Sequence, residues 1–196
     1  IFMVKKAWYY LYFIGELLGG FREPALVLKI FLLPLRQRRF LLTLRKNSLR
    51  FFVRSALDVW SIKETFLDNF YLPPGFFNIE RGWIMMDIGA GVGDFSLLAS
   101  SLAPQGRIFA FEAFPETFSL LQENVNLNGL PNILVSPEAI SAKDGYLFMD
   151  RSAVEPLQLS TRTQANSHRD LRVPAVSLEH IFERYQLPFC NLLKLD

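Results

Sequence analysis

The sequence predicts an α/β fold in which a parallel sheet is joined by crossover helices and preceded by a helical N-terminal segment. From Arg81 onward, short apolar runs alternate with amphipathic helical patterns in the order strand, helix, strand, helix, strand. The first apolar run leads directly into a glycine-rich stretch, GAGVG, at residues 89–93. The chain has 196 residues, 51% of them hydrophobic, which suffices for one domain with an N-terminal appendage.

The predicted sheet begins with three strands, each a short apolar run bounded by residues that favour turns. These strands span residues 83–88, 107–112 and 133–140. Because each is followed by a helical pattern or a turn, consecutive strands are expected to run parallel.

Two crossover helices are predicted from apolar residues at helical spacing. Asp94 is expected to cap the first helix, which ends at Pro104, while Pro115 opens the second and Gly129 marks its end. The predicted apolar faces are Phe95, Leu98 and Leu102 on the first helix, and Phe118, Leu121 and Val125 on the second.

Charge is distributed unevenly along the chain. Residues 1–54 contain 11 of the 21 Lys and Arg residues but 2 of the 19 acids, a net charge of +9, whereas the whole chain has +2. Aromatic and aliphatic clusters alternate there with isolated basic residues, which predicts amphipathic helices broken near Gly19, Gly20 and Pro34. We therefore expect a basic helical segment at residues 1–54 and an α/β domain at residues 55–196.

The basic segment raises the question of a membrane or nucleic-acid partner. Its apolar run at residues 7–14 is far shorter than the roughly 20 residues of a spanning helix, and no signal-peptide cleavage site follows it. An interfacial helix on an anionic membrane and a helical cover over the α/β domain remain as alternatives. No nucleic-acid module is recognisable, so no nucleic-acid partner is expected. We expect a cytoplasmic location, with peripheral membrane contact as the alternative.

Metal and disulfide chemistry have little support in the sequence. The single cysteine, Cys190, cannot form an internal disulfide. His168 and His180 lack companions at ligand spacing, so no metal site is expected.

Glycines and an acidic side chain coincide at the carboxyl ends of the first two predicted strands. Ligands of open α/β sheets bind beyond these ends, and glycines let a ligand approach the main chain. Glu112, which ends the second strand, can accept hydrogen bonds from ribose hydroxyls. The pattern therefore predicts a cofactor that contains ribose.

Two acids favour S-adenosylmethionine over a dinucleotide. The dinucleotide fingerprint has a third small residue where this chain has Asp94, whose carboxylate would repel a pyrophosphate. Asp87, just before the glycines, suits the cationic sulfonium and ammonium groups of S-adenosylmethionine. A nicotinamide-dependent oxidoreductase remains as an alternative, opposed mainly by Asp94.

From about Phe51 to Asp196 the sequence resembles the FkbM-type methyltransferases, a class I S-adenosylmethionine-dependent family. The matching blocks, in order, are Glu64-Thr-Phe66 to Tyr71, MDIGAGVGDFSLLAS, FAFEAFPETFSLLQENVNLNG, EAISAKDG, VPAVSLEHIF and LLKLD. The resemblance implies a Rossmann-like class I methyltransferase fold and methyl transfer to a hydroxyl of a sugar, glycan or natural product. Where the family usually has proline after the ribose-binding glutamate, this chain has Ala113.

The resemblance also implies which residues hold the cofactor. The glycine stretch would line its methionine end, Glu112 its ribose, the following two residues its adenosine, and the end of the third strand its adenine edge. Two residues of the lead-in would close over it. The implied set is Asp87, Gly89, Ala90, Gly91, Gly93, Glu112, Ala113, Phe114, Glu138, Ala139, Glu64 and Tyr71. Asn124 and Asn128 are interpreted as helix-end hydrogen bonders.

The candidate catalytic residues lie in the last predicted strand, at residues 192–196. Asp196 is the candidate general base, or a ligand of an acceptor-bound cation. Lys194 faces the same side of the strand and would tune that carboxylate or orient the acceptor.

Class I methyltransferases resemble a seven-stranded sheet ordered 3-2-1-4-5-7-6. By that likeness this chain contains strands 1 to 4 and an inserted strand at residues 146–151, so we expect a fragment with weak or absent turnover by itself. The competing hypothesis is a non-catalytic binding or membrane-peripheral protein that retains the fold.

Overall fold

The computed structural model describes residues 14–33, 39–73, 75, 78–150, 161–162 and 170–195. The chain forms two compact units, residues 1–77 and 78–196. The boundary expected after Arg54 thus lies inside the first unit, directly before one of its helices.

The first unit combines helices with a β-hairpin. Residues 14–20 are helical. They are followed by helix α1 (Pro24–Leu32), strands β1 (Phe40–Thr43) and β2 (Arg50–Val53), and helix α2 (Ala56–Phe66). β1 and β2 pair antiparallel.

The expectation that residues 1–54 are helical throughout is wrong for the hairpin. Leu42 of β1 is buried, and so are Phe51 and Val53 of β2, which shows the two-residue period of a strand. Ser48 adopts a φ of 61°, and the Asn47 side chain accepts the Leu49 N–H at 3.2 Å, so these two residues turn the chain between the strands.

Buried charges in the first unit are paired. The guanidinium and backbone N–H of Arg54 donate to the Asp58 carboxylate, with the backbone bond at 2.6 Å. The buried Lys63 ammonium contacts Asp68 at 2.5 Å and Glu16 at 3.3 Å. These pairs allow charged side chains to lie inside the unit at an acceptable electrostatic cost.

The second unit contains a parallel sheet and a second, mixed sheet. Its elements are β3 (Ile84–Ile88), α3 (Asp94–Leu102), β4 (Arg107–Phe111), α4 (Pro115–Asn128), β5 (Ile133–Ser136), β6 (Ala139–Ser141), β7 (Gly145–Asp150), β8 (Thr161–Arg162), β9 (Asp170–Ser177), α5 (Leu178–Arg184) and β10 (Leu192–Leu195). The parallel sheet has the order β10-β3-β4-β5. This order agrees with the 4-1-2-3 part of the sheet expected from the resemblance.

One predicted strand is divided between the two sheets. Residues 133–140 were expected to form a single strand, but β5 ends at Ser136 and β6 begins at Ala139 in the sheet ordered β6-β9-β7-β8. The prediction is wrong because Pro137 has no N–H to continue a strand ladder. The strand expected at residues 146–151 is present as β7, which pairs antiparallel with β9.

The crossover helices differ from the prediction in their caps and buried faces. Gly93, not Asp94, is the N-cap of α3, and Asp94 is the first helical residue. Leu98 is only partly buried and Leu102 is exposed, so that predicted face is wrong beyond Phe95. α3 instead buries a wider surface that includes small residues, because it packs against three strands of the sheet. On α4, Leu121 and Val125 are buried as predicted and Phe118 is partly buried.

The alternation of side chains in β3 and β4 divides the core around the parallel sheet. Met86, Phe109 and Phe111 point to one face and form a buried cluster with Val176, Ile181 and Leu187 of the β9–α5 region. Asp87 points to the opposite face, where Ser96 of α3 donates to it. The sheet therefore places an acid beneath α3 and leaves the apolar cluster on the other side.

We expect Phe109→Ala to destabilise the second unit by about 3–5 kcal/mol, because it empties a fully buried position in this cluster. Phe189→Ala is the matched control: Phe189 is 54% exposed, so the loss there should remain within about 1 kcal/mol. Urea denaturation followed by tryptophan fluorescence measures both changes. Equal losses for the two variants would contradict the assigned core.

Candidate functional site

The stretch Gly89–Gly93 forms a tight loop between β3 and α3. Gly89, Gly91 and Gly93 have φ angles of 73°, 55° and 88°, in the left-handed region that side chains disfavour. At Gly93 an added Cβ would lie 2.7 Å from the Leu121 side chain. The glycines are therefore required by the backbone path and by packing against α4.

Most of the N–H groups in this glycine loop are already hydrogen-bonded within the protein. Those of Gly89 and Ala90 donate to the Phe111 carbonyl at 3.0 and 2.9 Å, and that of Gly93 donates to the Ala90 carbonyl at 2.8 Å. The Gly91 N–H donates to Glu112 Oε2 at 3.0 Å. In dinucleotide-binding loops such N–H groups point at a phosphate. Here the four N–H groups are instead hydrogen-bonded to protein oxygens.

Glu112 connects the loop to the segment that follows β4. Its Oε1 accepts the Phe114 N–H at 2.8 Å, while Oε2 accepts the Gly91 N–H. The side chain is buried but not sealed, with 9% of the residue exposed. An ionised carboxylate acts only as a hydrogen-bond acceptor, so a ligand at this position would be recognised through its donor groups.

Asp87 is enclosed by protein groups. The Ser96 hydroxyl donates to its Oδ2 at 2.6 Å, and the Lys194 Nζ lies 3.0 Å from its Oδ1. Oδ1 is buried without a hydrogen bond, so the contact with Lys194 is an ion pair whose alignment is poor for hydrogen bonding. The predicted attraction of Asp87 for a cationic cofactor is therefore largely compensated by Lys194.

Lys194 is directed toward the loop and not toward solvent. In the register of the sheet it lies opposite Asp87, with 8% of its side chain exposed, and its Nζ donates to the Gly89 carbonyl at 3.0 Å. Asp196, the candidate base, lies outside the described residues.

Asn124 makes a contact that sequence reasoning missed. Its side chain is fully buried and donates to the Val92 carbonyl at 2.9 Å, so its interpretation as a helix-end hydrogen bonder is wrong. Asn128 does fit that interpretation, because its side chain donates to the Asn124 carbonyl one turn earlier in α4. The available signal was the position of Asn124 between the apolar residues Leu121 and Val125, where an amide needs a buried partner.

The FkbM methyltransferase domain matches residues 87–196, which is more than half of the chain. The chain belongs to this family. The match begins at Asp87 and includes the glycine loop and Glu112, and it confirms the resemblance on which the class I methyltransferase fold was predicted. The parallel sheet with flanking helices agrees with that fold.

This FkbM domain is similar to other methyltransferases. Hexuronic acid methyltransferase AglP from Haloferax volcanii is 22% identical over 147 residues, which cover 75% of this chain and 59% of that protein. Methyltransferase 1 from Beauveria bassiana is 30% identical over 87 residues, 44% of this chain and 34% of that protein. The crystal structure of methyltransferase FkbM from Methylobacillus flagellatus is 14% identical, with a TM-score of 0.44, and the match covers 64% of this chain and 28% of that one. The chain thus spans less than two thirds of the length of these relatives.

Glu138, predicted at the adenine edge of this FkbM domain, is bound by protein side chains. Arg184 of α5 donates to both carboxylate oxygens at 2.6 and 3.0 Å, and the Ser136 hydroxyl donates at 2.6 Å. Hydrogen bonds from Arg184 hold the pKa of Glu138 below its ordinary value, against the opposing effect of burial. Ala139 and Phe114 lie in one apolar cluster beside it, and Ala113 packs against that cluster.

Glu64 and Tyr71 belong to the first unit of the chain. Glu64 lies on α2, and its carbonyl accepts the Phe70 N–H at 3.0 Å. The Tyr71 ring packs edge-on against the Phe70 ring, with centroids 5.3 Å apart. Their closure over a cofactor stays a prediction.

The pair Glu138–Arg184 should make stability depend on acid pH. Because the pKa of Glu138 is lowered on folding, the contribution of the pair is fully present above the unfolded pKa, near 4.5, and is lost as the pH falls through the folded value. Arg184→Gln should therefore destabilise the protein more at pH 6 than at pH 3.5, as measured by urea denaturation at each pH. The control Arg81→Gln changes an exposed side chain and should give the same small difference at both pH values. An effect of Arg184→Gln that does not vary with pH would contradict the pairing.

Proposed function

We propose that this chain binds S-adenosylmethionine at the glycine loop and serves an O-methyltransferase. The observation that carries the proposal is the carboxylate of Glu112, which is held by the Gly91 and Phe114 N–H groups at the carboxyl end of β4. A carboxylate held in this way suits the two hydroxyls of one ribose, because both oxygens are fixed in position and an ionised carboxylate acts only as an acceptor. Membership of the FkbM family supports the same cofactor.

The loop itself favours this cofactor over a dinucleotide. Four of its N–H groups are engaged by protein oxygens, so few remain to hold a pyrophosphate. Asp94 begins α3 and is buried, which adds negative charge where a pyrophosphate would lie. The sulfonium cofactor has no phosphate, so neither feature opposes it.

The residues around Glu112 provide suitable surroundings for an adenosine. Phe114, Ala139 and Leu147 are buried in one apolar cluster beside the carboxyl ends of β4 and β5. We place the purine against the edge of this apolar cluster, with Glu112 supplying the polar contact that orients the ribose. We place Ala90, Gly91 and Gly93 at the methionine end, where bare backbone permits close approach.

For the reaction, S-adenosylmethionine supplies an electrophilic methyl group on a positively charged sulfur. The protein must align an acceptor oxygen with that methyl group and exclude water, which are positioning tasks. We retain Asp196 as the candidate for removing the acceptor proton. Lys194 stays a candidate for orienting the acceptor, and its contacts with Asp87 and Gly89 also support a role in holding the glycine loop.

A hydroxyl of a sugar, glycan or natural product is the acceptor class we favour. The name of AglP describes a hexuronic acid methyltransferase, and that protein matches 75% of this chain. At 22% identity the match supports a sugar acceptor without specifying which sugar.

Calorimetric titration with S-adenosylmethionine, S-adenosylhomocysteine and NAD tests the proposal. We expect both adenosyl ligands to bind and NAD not to bind. Glu112→Ala should weaken S-adenosylmethionine binding by roughly 10-fold or more, because hydrogen bonds to a charged group contribute about 1.5–3 kcal/mol. The exposed Glu183→Ala is the matched control and should leave the affinity unchanged. A folded chain that binds neither adenosyl ligand would refute the proposal.

We further propose peripheral contact of the first unit with an anionic membrane. Val27 and Ile30 of α1 are buried, whereas Leu28 and Leu32 are exposed on the other side of the helix, next to Lys29. Leu32 is 69% exposed, and residues 1–54 have a net charge of +9. Exposed leucines beside cations suit a shallow binding mode on acidic lipid. Among the described residues no helix is both long and apolar enough to span a bilayer.

Co-sedimentation with vesicles tests this contact. The protein should bind vesicles that contain phosphatidylserine, bind less to pure phosphatidylcholine, and lose binding with rising salt. Leu28→Ser with Leu32→Ser should reduce binding several-fold, while Leu102→Ser, an exposed leucine of the second unit, should not. Equal binding to both lipids would refute the proposal. So would self-association that the same double substitution abolishes, because it would assign this face to a second copy of the chain.

A further inference from the structure

We infer that Lys194 and Asn124 are positioning residues that clamp the glycine loop from two sides and so determine its affinity for the cofactor. The inference concerns how the loop is held, and its effect on affinity rests on the function proposed above. Neither residue needs to touch the cofactor for this role.

The two side chains bind the two loop carbonyls that flank the central glycine. Lys194 Nζ donates to the Gly89 carbonyl at 3.0 Å, and Asn124 Nδ2 donates to the Val92 carbonyl at 2.9 Å. Lys194 comes from β10 and Asn124 from α4, so each bond joins the loop to an element distant in sequence. Both side chains are largely withdrawn from solvent, which strengthens these bonds.

With these bonds, three of the four peptide planes between Gly89 and Gly93 are hydrogen-bonded at both their carbonyl and their N–H. The 89–90 plane is bound by Lys194 at its carbonyl and by the Phe111 carbonyl at its N–H. The 90–91 plane accepts the Gly93 N–H and donates to Glu112. The 92–93 plane is bound by Asn124 and donates to the Ala90 carbonyl. Since a peptide unit rotates as a rigid plane, two bonds at opposite ends prevent it from flipping.

A glycine loop requires such external support more than other loops do. Glycine has access to both signs of φ, so three glycines leave many alternative paths open to the free loop. Ordering those paths when the ligand binds would cost conformational entropy and reduce affinity. Bonds that order the loop beforehand therefore increase affinity without adding a ligand contact.

Besides its hydrogen bond to the Gly89 carbonyl, Lys194 also neutralises Asp87, so its two contributions must be measured separately. It is the cation beside the fully buried Asp87 carboxylate, so removing it leaves a buried charge without compensation. A loss of stability in Lys194→Met would by itself report only on this pair. Replacing Asp87 by Asn in the same chain removes the charge problem, so loop exchange in the double variant reports the missing bond to Gly89. Because Asp87 is itself predicted to line the cofactor, Asn124→Asp, which keeps Asp87, decides the effect on affinity.

The experiment measures amide hydrogen exchange in the 196-residue chain together with calorimetric affinity for S-adenosylmethionine. The variants are Lys194→Met with Asp87→Asn, and Asn124→Asp, which keeps the shape but faces the Val92 carbonyl with an oxygen. The exchange rate of Phe109 in β4 serves as the internal reference for global unfolding. Controls are Lys143→Met, an exposed lysine, and Asn128→Asp on the same helix.

The inference predicts selective release of the loop. In the double variant exchange of Ala90 should rise about 10-fold relative to Phe109, and in Asn124→Asp exchange of Gly93 should do so, since one hydrogen bond to each plane is lost. Affinity for S-adenosylmethionine should fall about 10-fold in both variants, and both controls should match the wild type.

Unchanged relative exchange in folded variants would overturn the inference, as would full recovery of loop exchange and affinity in the double variant. If the wild type binds no S-adenosylmethionine, the proposed function fails, and the exchange measurement still decides whether the clamp exists. A double variant that does not fold leaves Asn124→Asp as the deciding variant.

Discussion

The carboxylate of Glu112 is the point on which the arrangement of the site depends. It accepts the N–H of Gly91 in the glycine loop and the N–H of Phe114, the N-cap of α4. Glu112 therefore joins the segments that follow β3 and β4. The Gly89 and Ala90 N–H groups reinforce this junction through the Phe111 carbonyl. A ligand that binds Glu112 therefore meets a loop that is already in place, and the ordering cost is borne by folding and not by binding.

The buried ion pair between Lys194 and Asp87 connects β10, at one edge of the parallel sheet, to the glycine loop region. Transfer of Asp87 and Lys194 from water costs several kcal/mol for each ion, and their attraction offsets this only because additional hydrogen bonds reach Ser96 and the Gly89 carbonyl. Loss of either partner would leave the other charge buried and unpaired, so folding favours the arrangement in which Lys194 lies beside Asp87. The pair makes the conformation of the loop depend on the register between β10 and β3.

Sequence periodicity predicted the elements of the α/β unit well where one face of each element is buried. β3 and β4 agree with the prediction to within one residue at each end, because uninterrupted apolar runs followed by turns have few other interpretations. The hairpin of the first unit was mistaken for helix because strands of four residues with basic neighbours are too short to show a clear period. The division of residues 133–140 depended on Pro137 and on a second sheet whose existence no local pattern indicated.

By itself, the sequence determined the residue types at the carboxyl ends of β3 and β4, and hence the prediction of a ligand that contains ribose. Glycines and Glu112 carry that information locally, since backbone freedom and charge belong to the residues themselves. Only the tertiary structure decided what Asp87, Lys194 and Asn124 do. Their partners lie 9 to 107 positions away along the chain, and a buried polar group acquires its role from the neighbours that folding brings to it.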